Sequence, residues 1–374
     1  MDQTGPGIPE TAMAGPPPIV RVGLCGYGLA GKTFHAPLIQ AVPGLELVAV
    51  ASSDAAKVRA DLPDIAVDFD PLAIATSGQV DLVVIATPND SHASIARSAL
   101  AAGKHVVIEK PFTVDLAEAR ELIALADRHG VFLSAFHNRR WDSDFLTVRK
   151  AITEGLVGRV THFESHFDRF RPEVWGRWRE QPRPGSGAWF DIGPHLVDQA
   201  LQLFGLPERV QGNFAKQRKG AATDDWAHVV LDYQERRVIL HTGSLTAGGT
   251  ARFTVHGTDG SLVKRLADRQ EQQLRGGARP GAPGWGEDPD PLVAFDKRGQ
   301  SRTLPAVAGD QRLYYRGIVE ALNGRLETVV TPLQALAVMA VLEAAARSAA
   351  KHASVGLSLT PEERAANIRP TDLL

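Results

Sequence analysis

Residues Ile19-Val20-Arg21-Val22-Gly23-Leu24-Cys25-Gly26-Tyr27-Gly28-Leu29-Ala30-Gly31 decide the fold. An apolar run of strand length ends in a glycine-rich turn, and from Leu29 to Val42 the apolar residues recur at helical spacing. The turn reads G-x-G-x-x-G, with glycines at 26, 28 and 31. Such glycines permit a tight turn, a close approach of backbone to a pyrophosphate, and packing of helix on strand. The N–H groups at the helix start then face the anion. Strand, glycine turn and helix together predict a dinucleotide-binding unit, with Gly26, Tyr27, Gly28, Leu29, Ala30 and Gly31 along the cofactor.

Working outward, buried-type strands are predicted at Leu45 to Ala51, Ala66 to Phe69, Leu82 to Ala86, His105 to Ile108 and Val131 to Phe136. Helical stretches alternate with them, notably Ser91 to Ala102 and Leu116 to His129. This alternation predicts an α/β Rossmann domain, a doubly wound parallel sheet with right-handed crossovers, over residues 19–138. Beyond it the rhythm changes. A helix at Asp144 to Thr153 precedes strands at Val160 to Phe167, Arg209 to Phe214, Trp226 to Tyr233, Val238 to Thr242, Ala251 to His256 and Ser261 to Lys264. These predict a C-terminal α+β domain over 139–355 with a large open, mostly antiparallel sheet. A helix from Pro194 to Phe204 interrupts the strands, with Pro194 in its first turn. Gly276 to Pro291 reads as a loop, and helices at Gln311 to Leu322 and Pro332 to Ala350 follow. Residues 1–18 read as a disordered tail and 356–374 as a C-terminal tail, and no internal repeat occurs.

The 374 residues carry 41 Lys+Arg against 43 Asp+Glu, a formal charge of -2, so no basic excess exists to neutralise phosphates and nucleic acid is not an expected partner. The single Cys25 cannot build a disulfide framework or a multi-cysteine zinc site. No run of eighteen apolar residues occurs, so no membrane span is expected, and a reducing cytoplasm fits.

An acidic residue usually ends the second strand of such a unit and binds the ribose hydroxyls of NAD. Here the sequence reads Ser52-Ser53-Asp54-Ala55-Ala56-Lys57. Hydroxyls at Ser52 and Ser53 accommodate a 2′-phosphate that a carboxylate would repel, and Lys57 or Arg59 would reach it. The expectation is NADP, with NAD open through Asp54. Ligands of open α/β sheets lie beyond the carboxyl ends of the strands. There the chain places Thr87-Pro88-Asn89 with His92, then Glu109-Lys110-Pro111, then His137-Asn138-Arg139-Arg140.

At these residues the chain resembles the glucose-fructose oxidoreductase, inositol dehydrogenase and MocA family of NAD(P)-dependent oxidoreductases. The resemblance rests on the glycine turn, on Thr87-Pro88-Asn89 with His92, on Gly103-Lys104-His105-Val106-Val107-Ile108-Glu109-Lys110-Pro111 and on Asp191-Ile192-Gly193-Pro194-His195. The stretches Lys32 to Leu38, Phe136 to Asp142 and Glu164 to Pro172 resemble the branch with NADP-dependent scyllo-inositol 2-dehydrogenases. The resemblance implies that Lys110, Asp191 and His195 meet over the nicotinamide and that Pro111 follows a cis peptide bond. Glu109 would contact cofactor or orient Lys110, and His92 would line the cofactor or cap its helix.

Oxidising a secondary alcohol needs a base for the hydroxyl proton and a cation that favours the alkoxide-like transition state. His195 is the expected acid/base and Lys110 the cation, while Asp191 would hold a neighbouring hydroxyl and orient His195. Asp191 and His195 stand four apart, on one face of a helix. The chemistry requires no metal, and no H-E-x-x-H spacing is present. For the substrate, a polyol or sugar, the candidates are His137, Asn138, His166 and Asp168, with Trp175, Trp178 and Trp189 either platforms for a ring or core and interface residues; the alternative readings are a non-catalytic dinucleotide-binding sensor and a reductase of keto- or anhydrosugars. Strand alternation puts His166 and Asp168 on one face, Arg169 and Arg171 on the other. The open sheet of the second domain leads to an expected homodimer or homotetramer.

Overall fold

The computed structural model describes residues 19–325 and 328–367; the expected N-terminal tail, 1–18, lies outside them. Six strands form the first sheet: β1 Val20–Cys25, β2 Leu45–Ala51, β3 Ala66–Asp68, β4 Leu82–Ile85, β5 His105–Ile108 and β6 Leu133–Ala135. All pairs are parallel, in the order β3-β2-β1-β4-β5-β6. Consecutive residues of the central strands, among them Val83, Val84 and Ile85 of β4 and Val106, Val107 and Ile108 of β5, are fully buried. A parallel sheet covered on both faces needs such unbroken apolar runs. The strand order reverses between β1 and β4, which opens a crevice at their carboxyl ends. The predicted helix after β1 opens as a π-helical turn over Gly31–His35 before Ala36–Gln40.

Eight strands form the second sheet: β7 Val160–His166, β8 Arg209–Ala215, β9 Trp226–Asp232, β10 Arg237–Gly243, β11 Phe253–Gly257, β12 Gly260–Lys264, β13 Leu292–Asp296 and β14 Ser301–Leu304. Their order is β14-β13-β12-β11-β7-β10-β9-β8, with β7 and β10 parallel and the other pairs antiparallel. Helices Ala188–Phe204 and Pro332–Lys351 pack on one face. Alternation sends Phe163, Val229, Leu231, Leu240 and Val255 under them, fully buried, while Glu164, His166, His228, Val230 and His241 remain half-buried on the opposite face.

Helix Pro332–Lys351 is long and apolar enough to cross a membrane by length and composition, yet Leu336, Met339, Val341 and Leu342 are buried in the core. It also packs against helix Leu116–His129 and β6, which fixes the two domains to each other. The stretch expected as a C-terminal tail contains a helix, Pro361–Ala365, capped by Thr360. Glu363 pairs with Arg120 of the first domain at 2.7 Å.

The helix expected from Pro194 starts a turn and a half earlier, at Ala188, so Pro194 lies inside it rather than in its first turn. A residue distant in sequence sets this start. The main-chain oxygen of Asp224 accepts from the Ala188 N–H at 2.9 Å, and its carboxylate accepts from the Trp189 N–H at 2.8 Å.

Candidate active site

The glycine turn sits at the carboxyl end of β1. Gly26 has φ +103°, and a Cβ there would lie 2.7 Å from the Ala86 main-chain oxygen. At Gly28 a Cβ would meet nothing within 4 Å, so this backbone faces open space. The cleft beside it is lined by Gly26, Tyr27, Gly28, Leu29, Ala30, Ser52, Ser53, Lys57, Thr87, Pro88, Asn89, His92, Glu109 and Lys110. Of the residues assigned to the cofactor from sequence, all are here except Arg59 and Gly31, the latter buried where the turn meets its helix. An open glycine backbone at the switch point of a doubly wound sheet fits a dinucleotide pyrophosphate.

At the end of β2 the Asp54 carboxylate caps helix Ala55–Asp61 by accepting from the Lys57 N–H at 3.0 Å, and Ser52 Oγ accepts from the Asp54 N–H at 3.1 Å. The Lys57 ammonium donates to the Tyr27 main-chain oxygen at 2.9 Å, which holds it beside the glycine turn. Lys57 lines the cleft and Arg59 does not.

His92 is fully buried. Its two ring nitrogens each lie 3.0 Å from a main-chain oxygen, Nδ1 from that of Pro111 and Nε2 from that of Thr87. It therefore ties the loop after β4 to the loop after β5, and burial pulls its pKa down. The Lys110–Pro111 peptide bond is cis, as the resemblance implies. Glu109 is backed by His35, whose Nε2 lies 3.5 Å from Oε1 and whose Nδ1 is 2.6 Å from the Tyr315 hydroxyl. Burial pushes the Glu109 carboxyl up, but His35, Lys110 and Arg179 outweigh it and leave it below the usual range.

A second cleft, lined by Asp191, His195, Asn138, Arg169, Arg171 and Arg179, meets the first at Glu109 and Lys110. Lys110 Nζ donates to the Asp191 main-chain oxygen at 2.7 Å and to its Oδ1 at 3.1 Å. Arg179 lies 3.2 Å from Asp191 Oδ1, and Arg169 lies 3.9 Å from Oδ2. Burial would raise this carboxyl, yet Lys110, Arg179 and Arg169 hold it well below the carboxylate range. His195 follows one turn later. Burial first, then Lys110, Arg139, His137 and Arg252, hold its pKa well below the ordinary imidazole value of about 6.5. The neutral ring can accept a proton from a substrate hydroxyl.

The structure corrects several expectations. Asp191 does not orient His195: its carboxylate is taken by cations, and Nδ1 of His195 is buried without a hydrogen-bond partner. His137 does not line the cleft; it is buried behind it with both ring nitrogens unpartnered. Asn138 does line it, and donates to Gln311 Oε1 at 3.1 Å. His166 and Asp168 are absent from the lining. The expected alternation turns Arg169 and Arg171 toward the cleft and so aims His166 and Asp168 the other way, at His241. Trp189 is a core residue, fully buried with Nε1 on the Leu342 main-chain oxygen, and no platform for a sugar. Trp178 lines the cofactor cleft; Trp175 lines neither cleft and is half exposed under Arg171 and Arg177. Sequence reasoning missed Arg179, which lines both clefts; the one signal was Arg177-Trp178-Arg179 within a Pro- and Gly-rich stretch.

The models of an oxidoreductase family match both domains, its NAD-binding Rossmann fold at residues 20–137 and its C-terminal alpha/beta domain at 149–357. The chain belongs to the GFO/IDH/MocA oxidoreductases. This GFO/IDH/MocA chain is 50% identical over 342 residues to the oxidoreductase YdgJ of Escherichia coli, with 91% of the chain and 99% of YdgJ covered. It is 36% identical over 345 residues to IolW of Bacillus subtilis, a scyllo-inositol 2-dehydrogenase (NADP(+)), with 90% and 96% covered. A crystal structure of an oxidoreductase from Klebsiella pneumoniae superposes with a TM-score of 0.89 at 56% identity, covering 93% of this chain and 98% of that one. Like its family, the chain is an NAD(P)-dependent oxidoreductase.

Proposed function

We propose that the enzyme transfers hydride between a nicotinamide cofactor, NADP in preference to NAD, and a secondary hydroxyl or ketone of a polyol or sugar, with scyllo-inositol the first candidate. The observation that carries this reading is the convergence of Lys110, Asp191 and His195 where the two clefts meet. The nicotinamide, when bound, takes up or gives back the hydride. In the oxidation direction neutral His195 takes the hydroxyl proton, and Lys110 donates a hydrogen bond to the same oxygen as negative charge develops on it. Asp191, kept ionised by three cations, holds Lys110 in place and offers an acceptor to a vicinal hydroxyl. In reduction the same groups return the proton.

Two hydroxyl side chains at the end of β2, with the Asp54 carboxylate capping the next helix and Lys57 beside them, support NADP. The NADP-dependent relative IolW supports both the cofactor and the substrate class. The test is the absorbance of reduced nicotinamide, with NADP and NAD side by side, on scyllo-inositol, myo-inositol and glucose. Turnover with NADP and scyllo-inositol is the expected result. Turnover with NAD alone would overturn the cofactor assignment.

One observation favours a second substrate class. Arg171 and Arg177 line the substrate cleft and form no ion pair among the described residues. Two uncompensated guanidiniums suit a carboxylate, so a sugar acid belongs in the same assay. A kcat/KM higher for the acid than for the neutral polyols would favour it.

A further inference from the structure

On the half-buried face of the second sheet, away from both clefts, His166 at the end of β7 is the register partner of His241 on the parallel strand β10. Two residues beyond β7 the chain brings in Asp168, whose carboxylate lies between the two rings. Its Oδ2 is 3.6 Å from His166 Nδ1 and its Oδ1 is 3.5 Å from His241 Nε2. One ligand atom from each of the three lies within 4.8 Å of the others.

These separations decide the reading. They are too long for charge-assisted hydrogen bonds, which run about 2.7–2.9 Å. His166 Nδ1 and Asp168 Oδ1 are accordingly buried with no hydrogen-bond partner. Leaving such atoms unpaired is costly. They match the spacing of atoms bound to one small ion: metal bonds of about 2.0–2.2 Å in tetrahedral geometry put neighbouring ligand atoms about 3.4 Å apart.

The groups around the gap are held by neighbours, and Asp168 Oδ1 and His166 Nδ1 are left to ligate. His166 Nε2 lies 2.9 Å from Glu164 Oε2, Thr250 donates to Asp168 Oδ2 at 2.7 Å, and His241 Nδ1 is 3.4 Å from His228 Nδ1. A carboxylate behind a ligating histidine fixes the ring and its tautomer, the arrangement seen around protein-bound metals. Glu164 also binds His162 at 2.7 Å, which steadies it.

We infer that His166, Asp168 and His241 form a binding site for a Zn²⁺-like divalent cation on the open face of the second sheet. Two imidazoles and one carboxylate suit zinc among the first-row ions, with a fourth position toward the face. The ion would clamp the chain leaving β7 to β10. The site is separate from the hydride chemistry, because Lys110 and His195 belong to the cleft and the three ligands do not.

The test uses the full-length chain without a polyhistidine tag, stripped with a chelator and titrated with Zn²⁺ and separately with Co²⁺. The expected result is one ion per chain, at micromolar affinity or tighter, with visible Co²⁺ bands of a low-coordinate nitrogen and oxygen site. Asp168→Asn and His241→Gln should each weaken binding by at least about 100-fold, and Glu164→Gln by about 10–100-fold. Lys110→Met should leave it unchanged. Equal affinity in wild type, Asp168→Asn and His241→Gln would overturn the site, as would no uptake at equimolar metal in the tens of micromolar. Should a variant fail to fold, imidazole NMR of the wild type decides: His166 and His241 resonances must shift on adding Zn²⁺, and a spectrum unmoved at those two rings overturns the proposal.

Discussion

Lys110 Nζ lies 2.7 Å from the main-chain oxygen of Asp191 and 3.1 Å from its Oδ1, a contact that spans the two domains. Lys110 stands at the end of β5, and Asp191 in the first turn of helix Ala188–Phe204. This pair joins the substrate cleft to the cofactor cleft, and it presents the cation that the alkoxide-like transition state needs.

Replacing Lys110 by Met keeps most of the side-chain length and removes the charge. The expected loss in kcat is about 10²–10⁴-fold, with NADPH still quenching protein fluorescence at saturating concentration. Asp191→Asn should cost less, because the main-chain oxygen that holds Lys110 remains. A kcat unchanged in Lys110→Met would remove this residue from the chemistry.

His195 supplies the pH dependence. Burial and the neighbouring cations depress its pKa, so the ring stays neutral, and competent as a base, below the pH at which an exposed imidazole protonates. The acid limb of kcat/KM for alcohol oxidation should therefore lie well below pH 6.5, the ordinary value being about that figure. A limb at 6.5 that vanishes in His195→Asn would show that water reaches the ring and that the depression is absent.

How far these features were legible depends on whether their cause is local. Gly26, Gly28 and Gly31 could be read because a turn of positive φ and an open backbone select glycine within six residues. Lys110, Asp191 and His195 were readable because each sits in a compact motif. The start of helix Ala188–Phe204 was not, since Asp224 caps it from far along the chain. Strand β13 directly follows a Gly- and Pro-rich loop, and β14 carries one large apolar residue, Leu304, so the pair gives a weak pattern. The side to which His166 and Asp168 point followed from alternation, but which side holds the substrate did not. That depends on Arg169 meeting Asp191 across the cleft.

Ser52 offers a charge test of cofactor choice. A hydroxyl stands here, and the nearest carboxylate, Asp54, caps helix Ala55–Asp61 while still lining the cleft, so an acid at 52 would set a second negative charge against a 2′-phosphate. Ser52→Asp places a carboxylate where it can bind the ribose hydroxyls of NAD. KM for NADP should rise at least about tenfold and KM for NAD should fall, since a like-charge contact costs on the order of 1–2 kcal/mol even partly screened. Steady-state kinetics with both cofactors measures the switch, and parallel changes for the two would contradict the assignment.

His92 ties the loops after β4 and β5 through its two ring nitrogens, and its burial lowers its pKa. The sign of its linkage follows. In the folded protein the ring resists protonation, whereas in the unfolded chain it takes up a proton below about pH 6.5. Unfolding therefore binds a proton, and the stability the residue contributes is whole above that pH and is lost as the pH falls below it. His92→Gln should cost about 1–3 kcal/mol at pH 7.5 through loss of the hydrogen bond that the neutral ring donates to one of the two oxygens, Thr87 or Pro111, and of the packing around it. Below pH 6.5 the wild type loses up to about 1.4 kcal/mol per pH unit at this residue and the variant does not, so the gap between them should narrow. Urea unfolding of both proteins at pH 7.5, 6.5 and 5.5 reads the gap directly. A gap that stays constant or widens toward acid would mean that His92 is protonated in the folded enzyme, donating to both oxygens at once.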